Sequence, residues 1–277
     1  TYLGENLYDE NLWPAYSKFL FDFASGAAAD NLHLKYKAHA IVNLGFAAEN
    51  LENNYKKAEE YYRDAYKIYL KINYEVGAAT AINNIGYLYQ NKGNIPEAIS
   101  SYSQALELFR KMKDDKGMCS SYLNLGFMYE DQEDIAAAKK NYEQALILSK
   151  KIHNIEITGN AYNNLAQISV KEGDKKNEME NYKKALSCYL LIENETNLEK
   201  IYSNIGMIFS SNGQFDSALV YLNKAKEIAL RLSGKKGTCT LNRIFGFFYL
   251  QQKDYAKAIQ HGEIALQQAK EINYLTE

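Results

Sequence analysis

Asparagine stands at positions 84, 124, 164 and 204, one every 40 residues, and a fifth, Asn43, falls one residue out of that phase. A side-chain amide donates and accepts at once, so a row of amides at one register can satisfy the N–H and C=O of an extended chain whatever its sequence. It can equally tie each structural unit to its neighbour. Three residues after each asparagine comes Phe46, Tyr87, Phe127, Gln167 or Met207, with Phe247 at the sixth step, a mostly apolar line able to anchor a ligand or to pack between units. Charges on the same face are graded: Glu49, Glu130 and Asp131 toward the N-terminal half, Lys171, Lys200 and Arg243 toward the C-terminal half.

Catalytic chemistry finds no comparable pattern. The four histidines, His33, His39, His153 and His261, are scattered and none forms an i,i+4 ligand pair. Cys119, Cys188 and Cys239 offer no disulfide framework, being odd in number. They read as structural thiols, suited to a reducing cytoplasm and compatible with export. No glycine-rich phosphate loop follows a strand pattern. The expectation is a non-enzymatic chain with no cofactor and no metal.

The elements that position the asparagines share their period. Alanine recurs at 65, 105, 145, 185, 225 and 265, and Gly86, Gly126, Ala166, Gly206 and Gly246 keep the same step. Self-similarity at this length means stacked supersecondary units, each unable to bury its apolar face alone. Within one period, Ala81, Ile85, Leu88 and Tyr89 form one helical stripe and Ala98, Ile99, Tyr102, Ala105, Leu106 and Phe109 a second, so the unit is two antiparallel helices. Gly86 and Ala105 are expected to be small because the two axes cross closely there. Gly93 can take positive φ past the first helix, with Asn94 as the next N-cap and Pro96 in the first turn; Asn54, Asp134, Asp174, Gln214 and Asp254 are the matching caps, while Glu133 and Lys253 replace the turn glycine.

Gly86, Tyr87, Leu88, Tyr89, Ala98, Tyr102 and Ala105, repeated as Gly126, Tyr129, Ala138, Tyr142 and Ala145, resemble the tetratricopeptide (TPR) repeat in a long-period, 40-residue variant. The resemblance covers about residue 33 to the end. It implies an all-α, right-handed α-solenoid of about six helical hairpins, at approximately 38–74, 78–114, 118–154, 158–194, 198–234 and 238–272. Residues 1–32, with Trp13, Phe19, Phe21, Phe23, Ala24, Gly26, Ala27, Ala28 and Ala29, would form an N-terminal helical cap or degenerate half-repeat. The family's usual proline late in the second helix is replaced by Arg110, Lys150, Leu190, Leu230 and Lys270, so longer helices are expected. Glu178, Gly262 and Ile244 break the pattern, making the fourth and last repeats the least regular.

The resemblance also implies where the amides point. In the family the first helix of each unit lines a concave groove that reads extended peptides or partner helices, which makes Asn43, Asn84, Asn124, Asn164, Asn204, Tyr87, Phe127, Met207, Phe247, Lys171, Lys200 and Arg243 the candidate groove. The expected partner is a protein or extended peptide. A net charge of −2 and a pI near 6.2 argue against a broad nucleic-acid surface, and no twenty-residue apolar run predicts a membrane span. Long-period arrays of this kind resemble those of bacterial signalling proteins, which points to an input or scaffolding role; a stand-alone adaptor and a peptide-gated regulator are the alternatives. The closing residues Ile272-Asn273-Tyr274 echo Ile72-Asn73-Tyr74, as though the array continues.

Leucine in place of Ala105 or Ala145 is expected to overpack the helix crossing and cost about 1–3 kcal/mol. Thermal unfolding checks this, and an unchanged midpoint would put the repeat register elsewhere.

Overall fold

The computed structural model describes residues 15, 17–19, 21–22, 30–232 and 234–271. Among these the structure is helical throughout, and it divides into two compact units, Thr1–Leu148 and Ser149–Glu277. The first holds α1 (Asn31–Asn50), α2 (Tyr55–Lys71), α3 (Glu75–Asn91), α4 (Ile95–Met112), α5 (Asp115–Asp131) and most of α6 (Ile135–Lys151). The second holds α7 (Ile155–Glu172), α8 (Lys175–Leu191), α9 (Glu195–Ser211), α10 (Phe215–Leu232), α11 (Gly234–Gln251) and α12 (Tyr255–Glu271). Consecutive helices pair as hairpins. Each hairpin begins three or more residues before the boundary expected from the sequence, because a further set of N-caps lies upstream.

Those caps explain the turns. At the start of first helices, Asp30, Asp114, Asn154 and Asn194 accept a hydrogen bond from the backbone N–H three residues on, at 2.8–3.1 Å. At the start of second helices, Asn54, Asp134, Asp174 and Asp254 do the same at 3.0–3.2 Å. Asn94 does not: its side chain makes no capping bond, and Pro96 has removed one of the two N–H groups an N-cap oxygen reaches. The backbone N–H of the same residue closes the preceding helix. Asp134 N–H donates to Tyr129 O at 2.9 Å and Asp114 N–H to Phe109 O at 2.9 Å, the long return bond of a left-handed C-terminal cap. One residue therefore ends one helix and begins the next.

Such a turn needs the preceding residue at positive φ. Gly93, Gly173 and Gly213 supply it at φ 70–74°, whereas Glu133 and Lys253, as expected, adopt φ 63° and 62° with side chains in place. The turns between hairpins use the same conformation at Asn73, Lys113, His153 and Glu193, a repetition the sequence had concealed because no glycine marks it.

The core sits along the hairpin axes. Ala38, Ala58, Ala65, Ala98, Ala105, Ala138 and Ala145 in the first unit, and Ala161, Ala166, Ala185, Ala218, Ala225 and Ala229 in the second, are wholly buried. The large members are tyrosines: Tyr62, Tyr69, Tyr102, Tyr142 and Tyr189 are within 2% of full burial. Their rings explain the small residues opposite. A Cβ on Gly86 would lie 2.7 Å from the Tyr102 ring, and one on Gly126 2.4 Å from the Tyr142 ring. The glycine is thus required by an intruding ring, not by the approach of the two helix axes alone. Of the N-terminal segment, Phe21 packs against the cluster of Ala38, Ile41 and Tyr69, with Lys37 Nζ 4.8 Å from the Phe21 ring centre, while Phe19 is exposed. Trp13, Phe23, Ala24, Gly26, Ala27, Ala28 and Ala29 lie outside the described residues.

Because a non-glycine side chain in this backbone region carries a cost, Glu133→Gly is expected to stabilise the protein by about 0.5–1 kcal/mol. Chemical denaturation measures it; a lower midpoint would mean that the Glu133 side chain contributes contacts outweighing the strain.

Candidate functional site

Helical periodicity sorts the side chains of each first helix. In α3, Ile85, Gly86 and Leu88 turn inward and are buried, leaving Asn84 half-buried and Tyr87 46% exposed. The same register holds along the first unit, where Asn43 and Asn124 are half-buried and Phe46 and Phe127 are 49% and 43% exposed. In the second unit Asn164, Asn204, Gln167 and Met207 are half-buried and Phe247 is 38% exposed. Each unit therefore carries its amides and its large apolar side chains on one face of its first helices.

The asparagines are not equivalent. Asn124 Nδ2 donates to Asn83 Oδ1 at 3.3 Å, across to the preceding hairpin. Asn164 Oδ1 accepts from its sequence neighbour Asn163 at 3.2 Å. Asn204 and Met207 line a cleft of about 370 Å³ with Val170, Glu178, Ser211 and Asn212. Asn83 and Asn163 did not figure among the expected groove residues, although the Asn-Asn doublets at 83–84 and 163–164 could have drawn attention to them.

At the acidic end of the expected charge gradient Asp131 is exposed, but two of the three carboxylates are corrected by the structure. Glu49 and Glu130 are buried, at 3% and 9% exposure, and accept hydrogen bonds from Tyr62 Oη at 3.1 Å and Tyr142 Oη at 2.9 Å. Glu49 also accepts from Asn91 Nδ2 of the next hairpin at 2.8 Å. These carboxylates serve the core tyrosines and present no charge to a ligand. Burial, then the neighbouring carboxylate, pushes both phenols far above their ordinary range. Tyr102 donates to Gln90 Oε1 at 2.7 Å and Tyr189 to Asn160 Oδ1 at 2.7 Å, so these tyrosine hydroxyls are satisfied internally. The basic residues Lys171, Lys200 and Arg243 are exposed.

Arg243 and Phe247 line a second cleft, of about 490 Å³, on the α11–α12 hairpin with Leu250, Ile259 and Gly262. Gly262 stands where the other hairpins place Tyr62, Tyr102, Tyr142, Tyr182 or Leu222, and the missing side chain leaves the space open.

The thiols are structural in their surroundings. Cys119 Sγ lies 3.7 Å from Ala145 O and Cys239 Sγ 3.3 Å from Ala265 O, the same contact in two hairpins. Burial, with smaller contributions from Asp115 and Asp114, pushes the Cys119 thiol up to about 11, which keeps it from acting as a thiolate nucleophile at neutral pH. Among the described residues no three His, Cys, Asp or Glu side chains converge as a metal site, and no helix is long and apolar enough to cross a membrane.

The family profile described as tetratricopeptide repeat matches residues 77–151, 117–190 and 197–271. No curated protein matches the sequence significantly. Among solved structures, BtubC (BKLC) from P. vanneervenii is similar at TM-score 0.70 and 18% identity, over 82% of this chain and 93% of that one. The apo form of RapI is similar at TM-score 0.68 and 12% identity, over 93% and 80%. A STAND signal-transduction ATPase with a tetratricopeptide repeat sensor, from Pyrococcus horikoshii, is similar at TM-score 0.67 and 20% identity, over 86% of this chain and 37% of that one. At these identities the likeness concerns the fold.

The Tyr142–Glu130 bond sits beneath the candidate face and can be tested alone. Tyr142→Phe keeps the ring against Gly126 but removes one hydrogen-bond donor from the buried Glu130 carboxylate, at an expected cost of about 1.5–3 kcal/mol. Denaturant unfolding measures it, and Gly126→Ala, which collides with the ring, should also destabilise; no change in either variant would contradict the packing described.

Proposed function

Because the chain belongs to the tetratricopeptide-repeat family, we propose that it is a non-enzymatic protein-binding module whose first-helix face holds an extended peptide or a partner helix. The observation that carries this reading is the row Phe46, Tyr87 and Phe127, three large aromatic side chains on successive first helices, each more than two-fifths exposed. Had they served only to pack one hairpin on the next, they would be buried as Tyr102 and Tyr142 are. Aromatic side chains bring much contact area at small entropic cost, which suits them to be anchors in an interface.

The half-buried amides beside them give that surface its second property. Asn43 and Asn84 flank the aromatic row with a donor and an acceptor each, suited to main-chain readout of an extended ligand. Asn124, bonded to Asn83, belongs at least partly to the tie between hairpins. In the second unit Asn164, Asn204, Met207, Phe247, Lys171, Lys200 and Arg243 extend the same chemistry with exposed basic groups, so an acidic or carboxylate-bearing stretch of ligand would match them. As to biological role, we assign the chain to the input or scaffolding part of bacterial signalling or regulatory machinery. The fold likeness to a signal-transduction ATPase that carries a tetratricopeptide repeat sensor is in keeping with an input role.

The test separates binding from folding. Tyr87→Ala is expected to weaken affinity for a partner recovered by pull-down by about 1–2 kcal/mol, and Asn84→Ala by about 0.5–1.5 kcal/mol, both with little change in thermal midpoint. Asn124→Ala should lower the midpoint as well. Retained affinity in Tyr87→Ala with a fallen midpoint would place this residue in repeat packing and remove the basis of the reading.

A further inference from the structure

One of the two clefts in the second unit lies where the repeat pattern breaks. At one register of the second helix the hairpins carry Ala58, Ala98, Ala138, Ala218 and Ala258, of which the first four are wholly buried. The fourth hairpin alone carries Glu178 there. A carboxylate cannot occupy a space shaped for a methyl group, and around it α7, α8 and α9 leave the cleft of about 370 Å³.

The walls divide by chemistry. Val170, Met207 and Ile208 give an apolar side, while the Glu178 carboxylate, Asn204 amide, Ser211 hydroxyl and Asn212 amide supply acceptor oxygens. Apolar walls together with acceptor oxygens and one carboxylate fit a long aliphatic stem ending in a cation. It is unsuited to a carboxylate, which Glu178 repels, and to a wholly apolar side chain, which would strand a desolvated charge. We infer that this cleft is a specificity pocket that receives a lysine or arginine side chain of the bound peptide, with Glu178 as its counter-charge.

The electrostatics agree. Glu178 is half-buried, burial raises its pKa, and Lys175, an exposed residue that also lines the cleft, offsets this only in part. A half-buried carboxylate whose compensation is incomplete gains from a cation delivered by a ligand. Asn204, placed by the preceding reading among the groove amides, would hold the peptide main chain beside the same opening, so the inference rests on that reading and adds the ligand's sequence preference to it.

A random dodecapeptide phage library selected on the immobilised full chain, in parallel with Glu178→Gln and Glu178→Ala, tests it. Glu178→Ala restores the residue of the other five hairpins and should fold at least as stably, so a lost preference cannot be ascribed to unfolding. The expected result is enrichment of lysine or arginine at one position on the native chain, with the selected peptides binding about tenfold or more weakly to Glu178→Gln. Enriched peptides without a basic position, or a basic preference kept by Glu178→Ala, would overturn the pocket while leaving peptide binding intact. Failure of every variant to enrich any peptide would overturn both the pocket and the proposed function.

Discussion

The array depends on a tyrosine ring driven between two helices. Tyr102 and Tyr142 lie flush on Gly86 and Gly126 of the facing helix, too close for even a methyl group, and each hydroxyl ends on an acceptor from that same helix. The ring supplies apolar burial and the bond fixes its depth and direction. A phenol buried without a partner would forfeit about 1–3 kcal/mol of what its ring contributes, so glycine, tyrosine and acceptor act as a set. Where the acceptor is a carboxylate, as at Glu49 and Glu130, the phenol answers in turn the cost of burying that charge.

This set dictates what the first helices can show to the outside. With Ile85, Gly86 and Leu88 consumed by packing in α3, the remaining arc holds Asn84 and Tyr87, and the equivalent positions elsewhere are exposed or half-buried. The turns keep that arc in register. Since one residue closes a helix with its backbone N–H and opens the next with its side chain, there is little loop length over which neighbouring hairpins could slip. The left-handed residue before it accepts strain at Asn73, Lys113, Glu133, His153, Glu193 and Lys253 in exchange for that shortness.

The alternation of helices was legible because it rests on local rules: alanine spacing, the stripe of apolar residues, and cap residues placed after a glycine. Even there the caps of the first helices escaped notice, since His153 and Glu193 do not announce a left-handed turn as Gly93 does. The candidate face was legible only in part. Glu49 and Glu130 read as groove charges because sequence register places them near the asparagines. Their burial depends on the reach of Tyr62 and Tyr142 from another helix, and a linear pattern does not encode side-chain direction across a hairpin. Likewise the bond from Asn124 to Asn83 joins residues 41 apart, visible only once the hairpins are stacked.

The two clefts show where a repetitive chain can hold information about a ligand. At regular positions the side chain is fixed by packing, and the same residue type recurs because the same neighbours do. At Glu178 and Gly262 the pattern breaks in opposite directions, one residue larger and charged, the other reduced to nothing, and a cleft lies beside half-buried or exposed residues of the candidate face: Asn204 and Met207 at the first, Arg243 and Phe247 at the second. Neither break is the cheapest solution for the hairpin that carries it. Alanine at the first position and tyrosine at the second would pack as their counterparts do. A departure that gives up packing and places polar or apolar walls around the resulting space is better accounted for by what the space accepts than by the stability of the array.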